Sequence, residues 1–463
     1  MFDCEFAGVD DAAVVATIDD CARAEAVAAA RRLAAIAELK RRRVHDEDDP
    51  RDFWACDPWD SAAAEVAAAM NISSRKASGQ MRIAAALRDH LPAVAALFGR
   101  GDLNARVVGA ITWRTQLITD DAVWARVDVE LAARALKWGP LSEDRLESAV
   151  DALVLEFDAC AVLAVKSAQR TRDFVVGKRE DANGVTSVWG RLNAADAAVL
   201  MKRIAAMVAT VCDNDPRSAN ERRADAMGAF SHGNDHLPCA CEAPNCPARE
   251  QHPAPKSSVV VNVYTDQATP DSSTGAAVLG TEVLPTPLLA ELLRNGAKLR
   301  PLCTPEAEPE PRYRPSAALA RFVRARDLTC RFPGCTTPAE SCDIDHVIPY
   351  PVGATHPSNL ACLCRKHHHL KTFWTGDWEL ELQPDGAAVW TSPTGHTYTT
   401  HPGSRSFFPA WNTDTGDLPP PPEPQQFSTD RGTMMPLRKR TRTQDREARI
   451  KAEREQNSDP PPF

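Results

Sequence analysis

Apolar residues recur at intervals of three and four through the first half of the chain, and this spacing predicts amphipathic helices. One stripe lies opposite an arginine-rich face and consists of Ala26, Ala29, Ala30, Leu33, Ile36 and Ala37. A second stripe, with Gly99 as its predicted C-terminal cap, consists of Ile83, Leu87, Leu91, Val94 and Phe98. A third follows Ser142 and consists of Leu146, Val150, Leu153 and Phe157. Residues 20–302 are therefore predicted to form a mainly α domain.

Shorter runs predict a few strands. Residues 185–192 and 259–264 give the helical domain a small β contribution, and Asn193 is predicted to cap the helix after the first run. From Trp378 onwards, turn residues separate runs that predict two or three further strands. The tryptophans there are predicted to build a local core rather than to stack on bases, because they have large apolar surfaces to bury: Trp374, Trp378 and Trp390. The fold class is thus a mainly α N-terminal domain followed by a C-terminal α+β module.

Polar and proline-rich stretches predict the domain boundaries, since a chain of 463 residues is too long for one core. Proline clusters mark both a linker and the start of a disordered mixed-charge tail. The predicted division is a tail at 1–19, a helical domain at 20–302 with a polar insert at about 213–258, a linker at 303–314, a module at 315–412 and a disordered tail at 413–463.

The N-terminus, the apolar runs and the cysteine content predict where the protein is located and whether its cysteines are reduced. The N-terminus carries no export signal, and no apolar run is long enough to span a membrane, so we expect a cytoplasmic protein without a membrane partner. The fourteen cysteines are therefore predicted to be reduced thiols and metal ligands rather than disulfides.

Two cysteine-containing couplets stand close together near the C-terminal end. Cys330 and Cys335 are separated by four residues, and Cys364 and His367 by two. This is the spacing of a closed tetrahedral zinc site, with the second couplet on one face of a helix predicted to begin near Asn359. A structural Zn²⁺ would hold together a module whose core is small.

Reactive residue types are interleaved with these couplets in a fixed order: Asp345-His346, then Asn359, then His368. The order and spacing resemble those of the HNH, or His-Me finger, endonucleases, over roughly residues 312–400. The resemblance implies a zinc-stapled ββα-metal module in which Asp345 and His368 bind a catalytic divalent cation, Mg²⁺ or Mn²⁺. It implies that His346 is the general base and that the Asn359 amide fixes the loop that carries His346.

Strand geometry adds one detail to this site. Neighbouring residues of a regular strand face opposite sides, so Asp345 and His346 would diverge and Asp343 would share the side of Asp345. Asp343 is therefore a second candidate ligand.

The charge distribution favours a nucleic-acid partner for this segment. The whole chain has a net charge of −9, yet residues 312–372 contain nine arginines and lysines against four acids. Arg331 and Lys371 are predicted to contact phosphate, and double-stranded DNA is the expected partner.

The helical half carries no recognisable chemistry. Residues 72–78, 97–107 and 188–197 resemble the helical domain of unknown function that precedes an HNH module in the actinobacterial "thirteen-E-twelve" repeat family. That resemblance implies no activity, and protein partners or a homo-oligomer through this domain stay open. A second cluster, Cys239, Cys241 and Cys246, is a candidate metal site with less usual spacing.

Two functions remain after the sequence is read. The first is a metal-dependent HNH endonuclease that hydrolyses DNA phosphodiester bonds through a histidine-activated water. The alternative is a catalytically inactive, zinc-stabilised nucleic-acid-binding or interaction protein of a mobile-element or repeat family. The presence of His346 favours the first, because a module that only binds has no need of a general base.

Overall fold

A computed structural model of the chain describes residues 6–44, 49–162, 173–177, 186–241, 243–246, 248, 263–265, 277–279, 282–284, 289–290, 302, 305, 308–374, 376–419 and 434–458. The chain divides into two compact units, of which the first combines Met1–Ala164 with Leu299–Phe463 and the second is Val165–Lys298. The described part is mainly helical with small antiparallel sheets, which confirms the predicted balance of helix and strand.

Helices dominate the first unit. In chain order over both units, the α-helices are α1 (Asp11–Arg43), α2 (Pro58–Met70), α3 (Ser74–Asp89), α4 (Pro92–Gly99), α5 (Ala105–Arg114), α6 (Asp121–Ala135), α7 (Glu143–Phe157), α8 (Ala194–Val208), α9 (Ala219–Ser231), α10 (Ala317–Asp327), α11 (Arg365–Phe373) and α12 (Arg442–Ser458).

The strands are short and pair only with near neighbours in the chain. They are β1 (Asp173–Val176), β2 (Val188–Arg191), β3 (Val263–Thr265), β4 (Ala277–Leu279), β5 (Glu282–Leu284), β6 (Cys342–His346), β7 (Leu360–Cys364), β8 (Glu379–Leu382), β9 (Ala388–Thr391) and β10 (Thr397–Thr400). Antiparallel pairing joins β1 to β2, β3 to β4 to β5, β6 to β7, and β8 to β9 to β10. Two or three strands were predicted from Trp378 onwards, and the structure has three, β8, β9 and β10. Residues 259–262 lie outside the described residues.

The predicted apolar stripes build the core of α1–α7. The buried members of the first and third stripes are Ala26, Ala29, Leu33, Ile36, Ala37, Leu146, Val150 and Leu153. The second stripe is buried too, except for the partly buried Ile83, but it does not form the single helix that its spacing suggested. Pro92 lacks a backbone N–H and starts α4, while His90 ends α3. The stripe is therefore shared between two helices.

A second core holds the elements from α10 onwards. It contains Phe322, Phe332 and the three tryptophans predicted to be core residues, with Trp390 fully buried and Trp374 and Trp378 nearly so. Residues of the N-terminal half contribute to the same core, among them Cys56, whose carbonyl accepts a hydrogen bond from Trp374 Nε1 at 3.0 Å. The structure thus groups these segments in one unit, and the linker at 303–314 stays a prediction.

The predicted disordered tail at 413–463 includes residues 420–433 and 459–463, which lie outside the described residues, but residues 434–458 differ from that prediction. Leu437 pairs with Trp54 in a β-bridge, and Ile450 of α12 is buried in the core of α1–α7. Arg454 donates to the carbonyl of Leu117 and pairs with Asp158 at 2.7 Å. The reason is that basic residues of this segment have acidic partners far away in the sequence, which composition alone does not reveal.

Among the residues that the structure describes, no helix combines the length and the apolar character needed to cross a membrane.

Candidate metal centre and active site

The candidate site lies on two antiparallel strands and the helix that follows them. Strands β6 and β7 pair from Cys342 opposite Cys364 to His346 opposite Leu360. Helix α11 begins immediately afterwards, with Cys364 as its N-cap. The prediction that this helix begins near Asn359 is therefore wrong by six residues, because Leu360–Cys364 forms strand β7 and pairs with β6.

The four predicted zinc ligands come together at one point. His367 Nδ1 lies 3.4 Å from Cys330 Sγ and 3.3 Å from Cys364 Sγ, and Cys335 Sγ lies 4.0 Å from Cys364 Sγ. All four donor atoms lie within 4.8 Å of one another. Tetrahedral zinc with Zn–S bonds of about 2.3 Å places its sulfur ligands about 3.8 Å apart, so the group fits a structural zinc ion.

Neighbouring residues fix the orientation of the histidine ligand. The His367 ring stacks on Phe332 with centroids 4.0 Å apart, and its Nε2 lies 3.1 Å from the hydroxyl of Ser74, at the start of α3. This contact directs Nδ1 towards the cysteines, which is the usual outer-shell arrangement of metal-binding histidines. Gly334, at φ +71°, packs so closely on Ile72 that a Cβ there would lie 2.5 Å from the Ile72 carbonyl oxygen.

The thiols of this group differ in acidity. Hydrogen bonds from Cys330 and Cys364 lower the pKa of the Cys335 thiol to about 3. Burial raises the pKa of the Cys330 thiol well above its usual value. A bound cation would remove this conflict, because it stabilises every ligating sulfur as thiolate.

The proposed cation ligands Asp345 and His368 are in contact. His368 Nε2 lies 3.3 Å from Asp345 Oδ1, and His368 Nδ1 lies 2.9 Å from Asp343 Oδ2. Both aspartates therefore reach the same imidazole, as their positions two residues apart on a strand predict. The hydrogen bond to Asp345 is the main reason that the pKa of His368 is raised, with Asp343 adding to it.

Lys371 occupies the other side of the Asp345 carboxylate. Its Nζ lies 2.7 Å from Asp345 Oδ2 and 2.7 Å from the His346 carbonyl oxygen. Burial raises the pKa of Asp345, but His368 and Lys371 outweigh it, so the pKa lies below its usual value. Lys371 was predicted to contact phosphate, whereas here its side chain is mostly buried against a carboxylate. Within the described ranges, two groups of residues are arranged closely enough to hold a metal ion, and they consist of cysteines alone or of cysteines with a histidine. Asp345 and His368 belong to neither group.

His346 faces different partners from Asp345. Its Nε2 lies 2.8 Å from the Thr355 hydroxyl, and its ring stacks on Tyr313 with centroids 5.3 Å apart. Only 5% of the residue is exposed. The contact with Thr355 carries no signal in the sequence, because His346 ends β6 whereas Thr355 lies nine residues later, in the irregular segment between β6 and β7.

Asn359 holds that segment in place. Its Oδ1 accepts from the Ile348 N–H at 2.8 Å, and its Nδ2 donates to the carbonyls of Ile348 and Ala354, both at 2.9 Å. A side chain at Gly353 would collide with the Ile348 carbonyl and with the Asn359 amide. These are the backbone contacts that the resemblance implied for this asparagine.

Arg331 does not face solvent, which corrects its assignment as a phosphate contact. It is 2% exposed, pairs with Asp327 at 2.9 Å and donates to the carbonyls of Gly386 and Thr400. Asp327 also pairs with the fully buried Arg326 at 2.8 Å. Arg331 is thus part of an internal ion network that joins α10, β7 and the β8–β10 sheet.

The second cysteine cluster has one more member than the sequence indicated. Cys239, Cys241 and Cys246 lie together in the second unit, and Cys212 joins them from 27 residues before Cys239. Sequence reading missed Cys212 because it stands alone, outside any short couplet. The only signal was its position just after the helix that ends at Val208.

Comparisons with known proteins place the chain among relatives without an assigned activity. "Uncharacterized protein Rv3776" of Mycobacterium tuberculosis (strain ATCC 25618 / H37Rv) is 49% identical over 99% of this chain and 93% of its own length. "Uncharacterized protein MT2160" of Mycobacterium tuberculosis (strain CDC 1551 / Oshkosh) is 48% identical over 97% of this chain and 88% of its own length. No solved structure matches. Residues 20–327 match the family described as "Domain of unknown function (DUF222)", and the chain belongs to that family.

Proposed function

We propose that this chain is a metal-dependent HNH endonuclease that hydrolyses DNA phosphodiester bonds. The observation that carries the proposal is the contact between Asp345 on β6 and His368 on α11, 3.3 Å apart. His368 directly follows His367 of the four-ligand group, so one short helix bears a residue of each site. The base candidate His346 adjoins Asp345 on the same strand.

We infer the position of the proton on His346 from the hydrogen bonds of Thr355. The Thr355 hydroxyl donates to the Arg312 carbonyl at 2.5 Å, and a hydroxyl has one proton to give. Towards His346 Nε2 the same oxygen must therefore accept, so the neutral imidazole carries its proton on Nε2. The basic nitrogen is then Nδ1. In the proposed reaction Nδ1 takes a proton from water, the hydroxide oxygen bonds to phosphorus and the P–O3′ bond breaks.

Asp345 and His368 would hold the divalent cation. Two ligands of an octahedral Mg²⁺ at about 2.1 Å stand roughly 3 Å apart, close to the separation of Asp345 Oδ1 and His368 Nε2. Lys371 contacts the other oxygen, Oδ2, so it can stay in place. A bound cation would supply charge stabilisation at the phosphate and at the leaving oxygen.

Exposed arginines next to His346 supply the proposed DNA contacts in place of Arg331. Arg312 and Arg314 are exposed, and Tyr313 between them stacks on His346. Phosphate contacts from residues 312–314 would bring the DNA backbone to His346 without selecting a base sequence.

A second function is favoured by a specific observation, the set of partners that the site residues already have. Lys371 balances Asp345, and His368 sits between two carboxylates with a raised pKa. A group satisfied in this way needs no cation. On that ground the second candidate is a zinc-stabilised nucleic-acid-binding protein without catalysis.

Plasmid nicking by the full-length protein tests the first proposal, with Mg²⁺, Mn²⁺, Ni²⁺ and Zn²⁺ supplied in turn. His346→Ala should reduce cleavage by about 10²–10⁴-fold, the usual contribution of a general base, while zinc content and DNA affinity stay unchanged. Thr355→Val should lower the rate through the same histidine, and Thr355→Ser should restore it. His396→Ala, at an exposed histidine outside the site, is the matched control.

Two results would contradict the nuclease. Cleavage by His346→Ala at the wild-type rate would remove the proposed base. DNA binding by the wild type without cleavage in any metal would instead support the binding protein.

A further inference from the structure

We propose that Cys212, Cys239, Cys241 and Cys246 form a second structural zinc site, in the unit Val165–Lys298. Their sulfur atoms lie within 4.8 Å of one another, and the Cys212 and Cys239 sulfurs are 3.5 Å apart. That distance is far longer than the bond of about 2.05 Å in a disulfide and is close to the sulfur separation in tetrahedral zinc sites.

Helices α8 and α9 bring the distant ligand to the other three. Cys212 follows α8, and the chain then runs through α9 and returns beside the same turn. The Thr210 hydroxyl receives the Leu237 N–H at 3.2 Å and donates to the Met207 carbonyl at 2.6 Å. The return of the chain is thus fixed by a contact two residues before Cys212 and two residues before Cys239.

A buried carboxylate reinforces this arrangement. Asp215, three residues after Cys212, accepts the Ala240 N–H at 2.8 Å and pairs with Arg217 at 2.7 Å. Arg217 also donates to the Pro238 carbonyl at 2.7 Å. Both loops that carry cysteines are therefore bound to each other by groups that are not themselves ligands, so the sulfurs meet in a preformed site.

The local core explains why a metal would be needed. The buried apolar cluster around these helices contains Ile204, Met207, Ala226 and Leu237. Among the described residues this cluster is small, with six partly buried apolar residues packed against it, and small folds commonly depend on a metal or another cross-link. Structural zinc contributes on the order of 10 kcal/mol to such folds.

The ligand chemistry selects the ion. Four thiolates form a soft donor set that favours Zn²⁺ over Mg²⁺ or Mn²⁺. The set is also closed, since four protein ligands complete a tetrahedron and leave no position for water or substrate. The site is therefore structural, and it is independent of the proposed nuclease.

Metal analysis of the full-length chain, purified with reductant, tests the proposal. The wild type should contain two zinc ions per chain. Cys212→Ser and Cys241→Ser should each contain one, Cys335→Ser should also contain one, and Cys212→Ser combined with Cys335→Ser should contain none. Cys21→Ser, at an exposed cysteine outside both clusters, should keep two.

Alkylation of the wild type provides a readout that does not depend on the folding of a variant. With zinc bound, the four thiols should resist iodoacetamide until a strong chelator is added. Modification without chelator, or resistance that yields only to reductant, would overturn the proposal, the latter by showing disulfides. One zinc per chain that Cys335→Ser abolishes, or two zinc ions in Cys212→Ser, would also overturn it, as would iron in place of zinc.

Discussion

The Cys330 cluster lies within a large core, whereas the Cys212 cluster adjoins a small one. Around the first, Phe332, Trp378 and Trp390 pack edge to face with ring centroids 5.0–6.1 Å apart, and an internal ion network lies beneath them. Around the second, the described residues include a cluster of four buried apolar residues with six partly buried ones packed against it. A zinc ion bound by similar ligands would therefore contribute a different share of the local stability at the two clusters.

Zinc would be a main support of the α8–α9 region and one support among several of the region around Cys330. The region from α10 to β10 is also tied to the N-terminal helices, through Ser74 and Cys56 and through the pair of Lys366 with Asp60 at 2.8 Å. The α8–α9 region would depend more on the zinc proposed for the Cys212 cluster. We expect the first region to keep part of its order without zinc and the second to lose its order.

The largest loss of stability is expected when the ion network of Asp327, Arg326 and Arg331, which involves no metal, is broken. Asp327→Asn leaves Arg326 and Arg331 buried without their carboxylate, and loss of one partner of a buried ion pair costs about 3–5 kcal/mol. Hydrogen exchange at β7 should report this fall in local stability, since the Cys362 N–H itself donates to Asp327 at 2.8 Å.

Asp385→Asn is the matched control for that substitution. Asp385 pairs with Arg405 at 3.1 Å, but both side chains are more than a third exposed, so its loss should cost at most about 1 kcal/mol. If both variants behave alike, the ion network is not a support and the first region depends on zinc as much as the second.

Sequence reading found what is local and missed what is distant. The couplets of the first cluster, the stripes of α1 and α7 and the strands after Trp378 all follow from spacing over a few residues, and the structure contains them. Cys212 was missed because two helices, rather than a short knuckle, bring it to Cys239. Arg331 was misassigned because its partners lie up to 69 residues away.

The same reasoning explains the end of the chain. Arg438 and Arg442 read as solvated charges in a proline-rich tail, yet they pair with Asp57 and Asp60 at 2.8–2.9 Å. Those carboxylates open α2, more than 370 residues earlier. No local sequence pattern links these arginines to the start of α2. The proline-rich, mixed-charge composition therefore predicted disorder, although the arginines have acidic partners in the folded chain.

A smaller effect should come from the outer shell of the first zinc site. Ser74→Ala removes the hydroxyl beside His367 Nε2, and loss of such a contact typically weakens metal binding by about 10–100-fold. Competition with a chromophoric chelator should show one of the two zinc ions released more readily. Ser78 lies on the same helix as Ser74 and accepts a hydrogen bond from Trp59 of α2. Ser78→Ala, which removes that hydrogen bond, should leave the affinities for both zinc ions unchanged. Equal effects of the two variants would mean that α3 stability, not ligand orientation, sets zinc affinity.

The smallest effect tests the tie between α11 and the N-terminal helices. Lys366 lies between two ligands of the first cluster, and its Nζ contacts Asp60, which also holds Arg438 and Arg442. Because Lys366 is 39% exposed and Asp60 keeps two other partners, Lys366→Ala should cost less than about 1 kcal/mol.

In a unit of this size that cost corresponds to a fall in melting temperature of about 2 °C or less, measurable by calorimetry. Arg365→Ala is the control, since Arg365 is the neighbouring residue and its 70% exposed side chain pairs with Asp343. It should leave the melting temperature unchanged, and both variants should keep two zinc ions. If Lys366→Ala instead released zinc from the first site, the cysteine couplets would depend on their contact with α2. The contrast between a well-supported cluster and a metal-dependent one would then disappear.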